Sequence, residues 1–422
     1  MKILVIGKTA REHAFIEKIS NSPRITELFC VPGNPAIAEY ATCVNIALDD
    51  IEAMASFAAE HQIDLTVALD EYVIAKGIAD IFEQYNLKIF APKISSAQIA
   101  LSRVFAKKFM YKNKIPSSKY GIFDKETSAI DYARKSSYPL LIKYDTLEEQ
   151  DTYFCETFNE AKKYIQKAFS DAQKQIVIED YIEGDEITFT ILTDGFNVLP
   201  FPFVKLYKRA LEGDGGAITK GVGAYIPPNK INLHIEEIIA KKIVFPLLDT
   251  MQEESIAYEG FLSINFVITP KNEVKALEFS PAFNILEAVS VLPLVEDDLI
   301  DIIYASISGA LGDEYSSLNI TDDTVVSVGL LSGNYPFNHK ENTMIEGIED
   351  IDEDEVEVYY NNTAMNSSYE LVTAGGLPVI LRGTGSTVNN ARERVYNCID
   401  TITFPEIRYR KDIAKFNISK DF

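Results

Sequence analysis

The chain has 422 residues, 47% of them apolar and 24% charged. That is too long for one ordinary core at roughly 150 residues per domain, so two to four soluble globular domains are expected. Lys and Arg number 40 against 63 Asp and Glu, a formal charge of −23. This argues against nucleic-acid and anionic-membrane partners but leaves room for a small anionic substrate held by a few amides and cations.

No stretch approaches the roughly 18 apolar residues of a membrane span. The opening MKILVIG is too short and too strand-like for a signal peptide, so the expected location is cytoplasmic. Cys30, Cys43, Cys155 and Cys398 are scattered without a CxxC pair and are expected as reduced thiols. His13, His61, His234 and His339 are equally dispersed and give no zinc pattern.

Apolar runs at 2–6, 28–31, 65–69 and 88–91 read as strands separated by helical patterns, the first beginning near Arg11. Such alternation predicts a parallel, doubly wound α/β sheet. Ligands collect at the carboxyl ends of such strands, where Gly7, Pro32-Gly33-Asn34 and Glu71 fall. A helix over 95–113 leads through Ile115-Pro116 into strands at 139–143, 175–179 and 186–192, with helices at 128–135 and 159–169. Residues 205–223, rich in glycine and charge, read as a loop. A helix over 235–251, kinked or interrupted by Pro246, precedes a strand pair at 260–268 and 273–279. A last unit starts near Thr324 and holds an acidic run at 346–357 and a helix at 389–402.

Taken singly, the motifs are weak: GKTAREH at 7–13 is no dinucleotide fingerprint, PGN at 32–34 is an ordinary turn, and Lys143 and Glu278 are charges at strand ends. Their order along the chain is informative. REH at 11–13, PGN at 32–34, IDLTVALDEYVIAKG at 63–77, KIFAPK at 88–93, PLLIK at 139–143 and VIEDYIEGDE at 177–186 fall in sequence. YKR at 207–209, GFL at 260–262, LEF at 277–279, AGG at 374–376 and YRKDIA at 409–414 follow. In this the chain resembles the phosphoribosylamine–glycine ligases (glycinamide ribonucleotide synthetases), ATP-grasp enzymes of purine biosynthesis.

The resemblance implies a parallel-sheet N-terminal (pre-ATP-grasp) domain at 1–100 and an ATP-grasp domain at 101–323 with a lid subdomain at about 116–187. A small C-terminal domain at 324–422 would complete the chain. It implies ATP with Mg²⁺ or Mn²⁺, glycine and 5-phosphoribosylamine as small-molecule substrates, and a monomer or weak dimer. Glycine would be activated as an acyl phosphate and captured by the phosphosugar amine. Carried over residue by residue, Lys143 would meet the phosphates. Glu179, Asp180, Tyr181 and Ile182 would form the adenine hinge, with Glu186 on the ribose. Gly7, Arg11, Gly33, Asn34, Glu71, Gly216 and Thr219 would hold substrate. Arg103, Lys208, Arg209 and Asp214 would serve catalysis, and Glu278 with Ser280 the metal.

Several stretches depart from the family pattern. The glycine-rich ADGLAAGKGV loop is here YDTLEEQDTYF at 144–154, placing Glu148, Glu149 and Asp151 where a lysine and flexible glycines belong. A carboxylate about 5 Å from a triphosphate oxygen costs about 3 kcal/mol at an effective dielectric of about 20. The SK lysine is Arg103, DTGPNTGGMGAY is DGGAITKGVGAY at 214–225, and EFNxRFGDPE is EFSPAFNILE at 278–287. The last change replaces an asparagine metal ligand by Ser280 and an arginine by Ala282. Three readings therefore stay open: the family's own ligase, a non-catalytic nucleotide- or phosphosugar-binding relative, and an ATP-dependent ligase for another acid.

Overall fold

The computed structural model describes residues 1–148, 151–171, 173–352 and 354–416. Residues Glu149 and Gln150 of the acidic loop lie outside them. The first hundred residues form a parallel sheet in the order Thr42–Cys43, Glu27–Pro32, Lys2–Gly7, Leu65–Ala68, Ile89–Phe90. Strand Lys2–Gly7 is buried along nearly its whole length, as a parallel strand covered on both faces must be. Its helix Ala10–Ser20 starts with a capping box in which Glu12 takes the Thr9 amide and hydroxyl. The Glu12 carboxyl fills the space a side chain at Gly7 would need, and Gly7 sits at φ +143°, so glycine is required there by geometry.

The predicted helix over 95–113 is two helices, Ile94–Leu101 and Arg103–Lys112. Ser102 breaks them by adopting an extended backbone. Its hydroxyl caps the second helix through the Phe105 amide and donates to Asp145. The break sets Arg103 at the first position of a new helix, aimed into the interior of the molecule. A four-stranded antiparallel sheet follows, in the order Tyr120–Phe123, Ile176–Asp180, Leu140–Tyr144, Thr152–Cys155. Helices Glu126–Lys135 and Phe158–Ser170 pack on it around a core of its own.

The stretch expected as a loop at 205–223 is a long hairpin of strands Val204–Leu211 and Gly215–Ile226. Its glycines and charges suggest solvent, yet Val204, Leu206 and Ala210 alternate into the core. The tip turns through Gly213 and Asp214, both with positive φ, and Gly216 and Gly221 in the second strand take positive φ as well. The helical pattern at 235–251 is interrupted as Pro246 requires: Leu233–Ile239 widens into a π segment, Ala240–Val244, before Phe245–Glu253.

The last unit does not merely pack beside the rest. Strand Thr324–Ser332 pairs with Gly215–Ile226 (Gly223 opposite Val328), so one antiparallel sheet continues through the boundary near 324. Its path runs Val274–Ser280, Glu259–Ile268, Asp185–Asp194, Val204–Leu211, Gly215–Ile226, Thr324–Ser332, Val379–Gly385, Val356–Tyr360. At the end of the acidic run, Glu357 accepts a hydrogen bond from the buried Arg382 at 2.6 Å. All four cysteines are unpaired, and among the described residues no helix is long and apolar enough to cross a membrane.

Gly223 lets Ile413 of the last unit lie against the hairpin, because an added Cβ would stand 2.6–3.0 Å from that side chain. Gly223→Val should overpack this seam and cost about 1–3 kcal/mol. Adding Ile413→Ala should return part of that loss, and urea unfolding of the single and double variants measures the coupling.

Candidate active site

The small four-stranded sheet stands over the end of the large sheet carrying Val274–Ser280, and the two enclose a cleft of about 1230 Å³, its open mouth included. Lys143 lies near the end of strand Leu140–Tyr144 on one side and Glu278 lies on Val274–Ser280 on the other. Their charged atoms are 3.9 Å apart. Ser102 and helix Arg103–Lys112 close the back, and the hairpin supplies Lys208 and Thr219.

The cleft holds one connected set of ion pairs. Glu278 accepts from Lys208 Nζ at 2.7 Å on one oxygen and from Arg103 at 2.9 Å on the other. Arg103 also binds Asp151 at the start of strand Thr152–Cys155. Glu179, buried on Ile176–Asp180, lies 2.5 Å from both Lys107 and Lys143. Lys208 comes within 3.7 Å of Glu186. Burial alone would raise the Glu278 pKa, but Lys208, Lys143 and Arg103 outweigh it and hold the carboxyl well below its ordinary range. The same contest at Glu179, burial against Lys107 and Lys143, holds that carboxyl at about 2.

Of the residues singled out from sequence, Arg103, Lys143, Glu179, Asp180, Tyr181, Ile182, Glu186, Lys208, Thr219, Glu71, Glu278 and Ser280 all line this cleft. Arg209 and Asp214 do not. Neighbours in a strand face opposite ways, so Lys208 points in and Arg209 points out. Arg209 stacks on Phe154 at 4.1 Å and donates to the carbonyls of Asp214 and Gly216. Asp214 sits at the exposed hairpin tip under Arg410. A catalytic role for Arg209 or Asp214 therefore has no geometric support, and the main chain of Gly216 is part of that outward turn. The hinge is partly committed too: the Asp180 and Tyr181 amides donate to the carbonyls of Lys119 and Pro139.

Gly7, Arg11, Gly33 and Asn34 gather away from the cleft, at the carboxyl end of the parallel sheet. The Gly33 amide donates to Gly7 O at 3.1 Å, and Asn34 Nδ2 bridges Lys8 O and Tyr360 O. Arg11 is buried against Glu12 and the Phe283 carbonyl. The acidic loop also differs from expectation in one respect. Asp151 is buried and neutralised by Arg103 rather than standing free toward an incoming phosphate.

For a divalent metal, the side chains offer Glu278 and Ser280, and both Glu278 oxygens are occupied by cations. Among the described residues no group of three or more His, Cys, Asp or Glu is placed to hold a metal. The donor set therefore does not form a protein-only metal centre. It suits Mg²⁺ only as the partner of nucleotide phosphates, which bring most of the oxygens themselves.

Sequence reasoning missed Lys107, Asn265, Asn284 and Lys220, all at the cleft or in its ion network. Lys107 carried a signal, because it lies four residues after Arg103 on one helix face. Lys220 carried another, standing where the related motif has glycine. Asn265 became visible only through its pairing opposite Glu278 across the strands.

Three family descriptions match this chain: "Phosphoribosylglycinamide synthetase, N domain" over residues 1–100, its "ATP-grasp (A) domain" over 101–288 and its "C domain" over 325–416. A phosphoribosylamine–glycine ligase of Caldanaerobacter subterraneus subsp. tengcongensis is 34% identical over 420 residues, covering 98% of this chain and 99% of the relative. That of Pseudomonas aeruginosa is 30% identical, covering 100% and 99%. In fold, the chain is similar to the crystal structure of phosphoribosylamine–glycine ligase from Thermotoga maritima (TM-score 0.82, 22% identity, 98% of this chain and 100% of that one). It is also similar to a Campylobacter jejuni biotin carboxylase solved with a β,γ-ATP complex (TM-score 0.72, 15% identity, 98% and 94%).

A carboxyl whose folded pKa is depressed contributes its stability above the ordinary value and loses it as pH falls through the folded one. Glu179→Gln leaves Lys107 and Lys143 without their buried counter-charge and should cost about 3–5 kcal/mol near neutral pH. The gap to the unmodified protein should narrow as pH falls from about 4.5 toward 2. Urea unfolding at about pH 7 and about pH 3.5 reads both the cost and its direction.

Proposed function

Because the chain belongs to the phosphoribosylglycinamide synthetase family, we propose that it is an ATP-dependent carbon–nitrogen ligase joining glycine to 5-phosphoribosylamine. The observation that carries this reading is the cleft itself. Arg103, Lys143 and Lys208 converge from a helix, the small sheet and the large sheet on one carboxylate, Glu278, between the two halves of an ATP-grasp fold.

In the proposed reaction a glycine carboxylate oxygen attacks the γ-phosphorus of ATP. The bond to the β-phosphate oxygen breaks and ADP takes its electron pair. The phosphoribosylamine nitrogen then attacks the acyl carbon, a C–N bond forms, and phosphate leaves with the C–O electron pair and the amine's proton. Such chemistry needs cations fixed beforehand where phosphate charge develops. Arg103, Lys143 and Lys208 meet that need, and their present carboxylate partners hold them in position. Glu186 is suited to the ribose hydroxyls, and Leu141, Ile182 and Leu277 offer an apolar lining for a base. A Mg²⁺ arriving with the nucleotide would add charge neutralisation at the phosphates.

A second reading, binding without turnover, is favoured by one observation. Asp151 already occupies Arg103, so a triphosphate must displace a buried ion pair to reach that cation. An assay for ADP released in a manner dependent on both glycine and phosphoribosylamine separates the two. Turnover that requires both substrates supports the ligase. Nucleotide binding with no turnover supports the second reading, and turnover with a different acid moves the assignment to another substrate. In either case Glu186→Ala should weaken ADP binding by about 1–3 kcal/mol through the loss of a charged hydrogen-bond partner. An unchanged ADP affinity by calorimetry would remove Glu186 from the nucleotide site.

A further inference from the structure

Leu147 and Lys220 line both the cleft and a second cavity, whose wall includes Gly221, Tyr335, Asn361 and Asn362. Of the cations facing the cleft, Arg103, Lys107, Lys143 and Lys208 each hold a carboxylate at 2.9 Å or closer. Lys220 is held differently. Among the described residues its Nζ makes long contacts, 3.4 Å to Glu71 and 3.4 Å to the Leu147 carbonyl, and its side chain is 41% exposed. Its main chain is fixed, because Asn284 Nδ2 donates to the Lys220 carbonyl at 2.6 Å while Asn284 caps helix Ile285–Val291. A rigid base with a loosely held ammonium is the arrangement expected of a cation that waits for a ligand.

We propose that Lys220 is the substrate-contacting cation at the junction of the two cavities, binding the phosphate group of the acyl phosphate and releasing it as inorganic phosphate after the amine attacks. The assignment rests on the ligase reading for its chemistry, but the anion site itself is testable without turnover. A single positioned donor at developing charge is typically worth about 10²–10³ in rate.

The test is calorimetric titration of inorganic phosphate into the unmodified protein and into Lys220→Gly, Lys220→Met and Lys220→Arg, with and without saturating ADP. The two neutral variants should bind phosphate about tenfold or more weakly, as expected for a lost charge-assisted hydrogen bond. Lys220→Arg should stay within about threefold, since it keeps the charge but changes its shape. ADP affinity should be alike in all four. Phosphate affinity unchanged in Lys220→Gly and Lys220→Met, or no phosphate binding by the unmodified protein, would overturn the assignment. Failure of every protein to bind ADP would instead sink the ligase reading, and the series without ADP would still decide Lys220.

Discussion

The geometry of the cleft depends on one carboxylate surrounded by three cations. Glu278 draws Lys208 from the hairpin, Arg103 from the helix that Ser102 restarts, and Lys143 from the small sheet to within 3.9 Å. Each comes from a different structural layer, so the cluster ties the small sheet to the large one at the point where a ligand must enter. Opposite charges about 4 Å apart attract by about 4 kcal/mol at an effective dielectric of about 20. Desolvation takes back much of that, which is why the cluster is better understood as fixing positions than as adding stability.

The arrangement balances charge locally inside a strongly acidic protein. Arg103, Lys107, Lys143 and Lys208 are matched by Asp151, Glu179, Glu186 and Glu278. Ligand phosphates would therefore compete with the protein's own carboxylates rather than fill a bare cationic pocket. Asp151 is the distinctive member. It belongs to the stretch that departs most from the family's glycine-rich loop, and it holds the cation that a phosphate would otherwise meet.

Four strands of the parallel sheet, two of the small antiparallel sheet and the cleft's main residues were legible in the sequence because they rest on local patterns and whole-chain resemblance. Apolar runs bounded by turns fixed the strands, and whole-chain resemblance supplied the order of Lys143, Glu179, Glu186 and Glu278. The hairpin at 204–226 was misread because composition dominated alternation: its glycines pack under neighbours such as Ile413 instead of loosening a loop. Arg209 and Asp214 were misplaced for a related reason, since only a strand assignment shows that Arg209 faces away from Lys208. The pairing of Asp151 with Arg103 spans 48 positions and joins a helix to the small sheet, and nothing local in the sequence encodes it.

Competition between Asp151 and a nucleotide phosphate for Arg103 is tested most directly by calorimetry of ATP and ADP, each with Mg²⁺, on the unmodified protein and on Asp151→Asn. The unmodified protein should bind ATP no more tightly than ADP. Asp151→Asn should improve ATP binding by about tenfold or more, leave ADP nearly unchanged, and lose part of that gain at high salt. Unmodified protein that already prefers ATP strongly, with Asp151→Asn altering neither affinity, would contradict it.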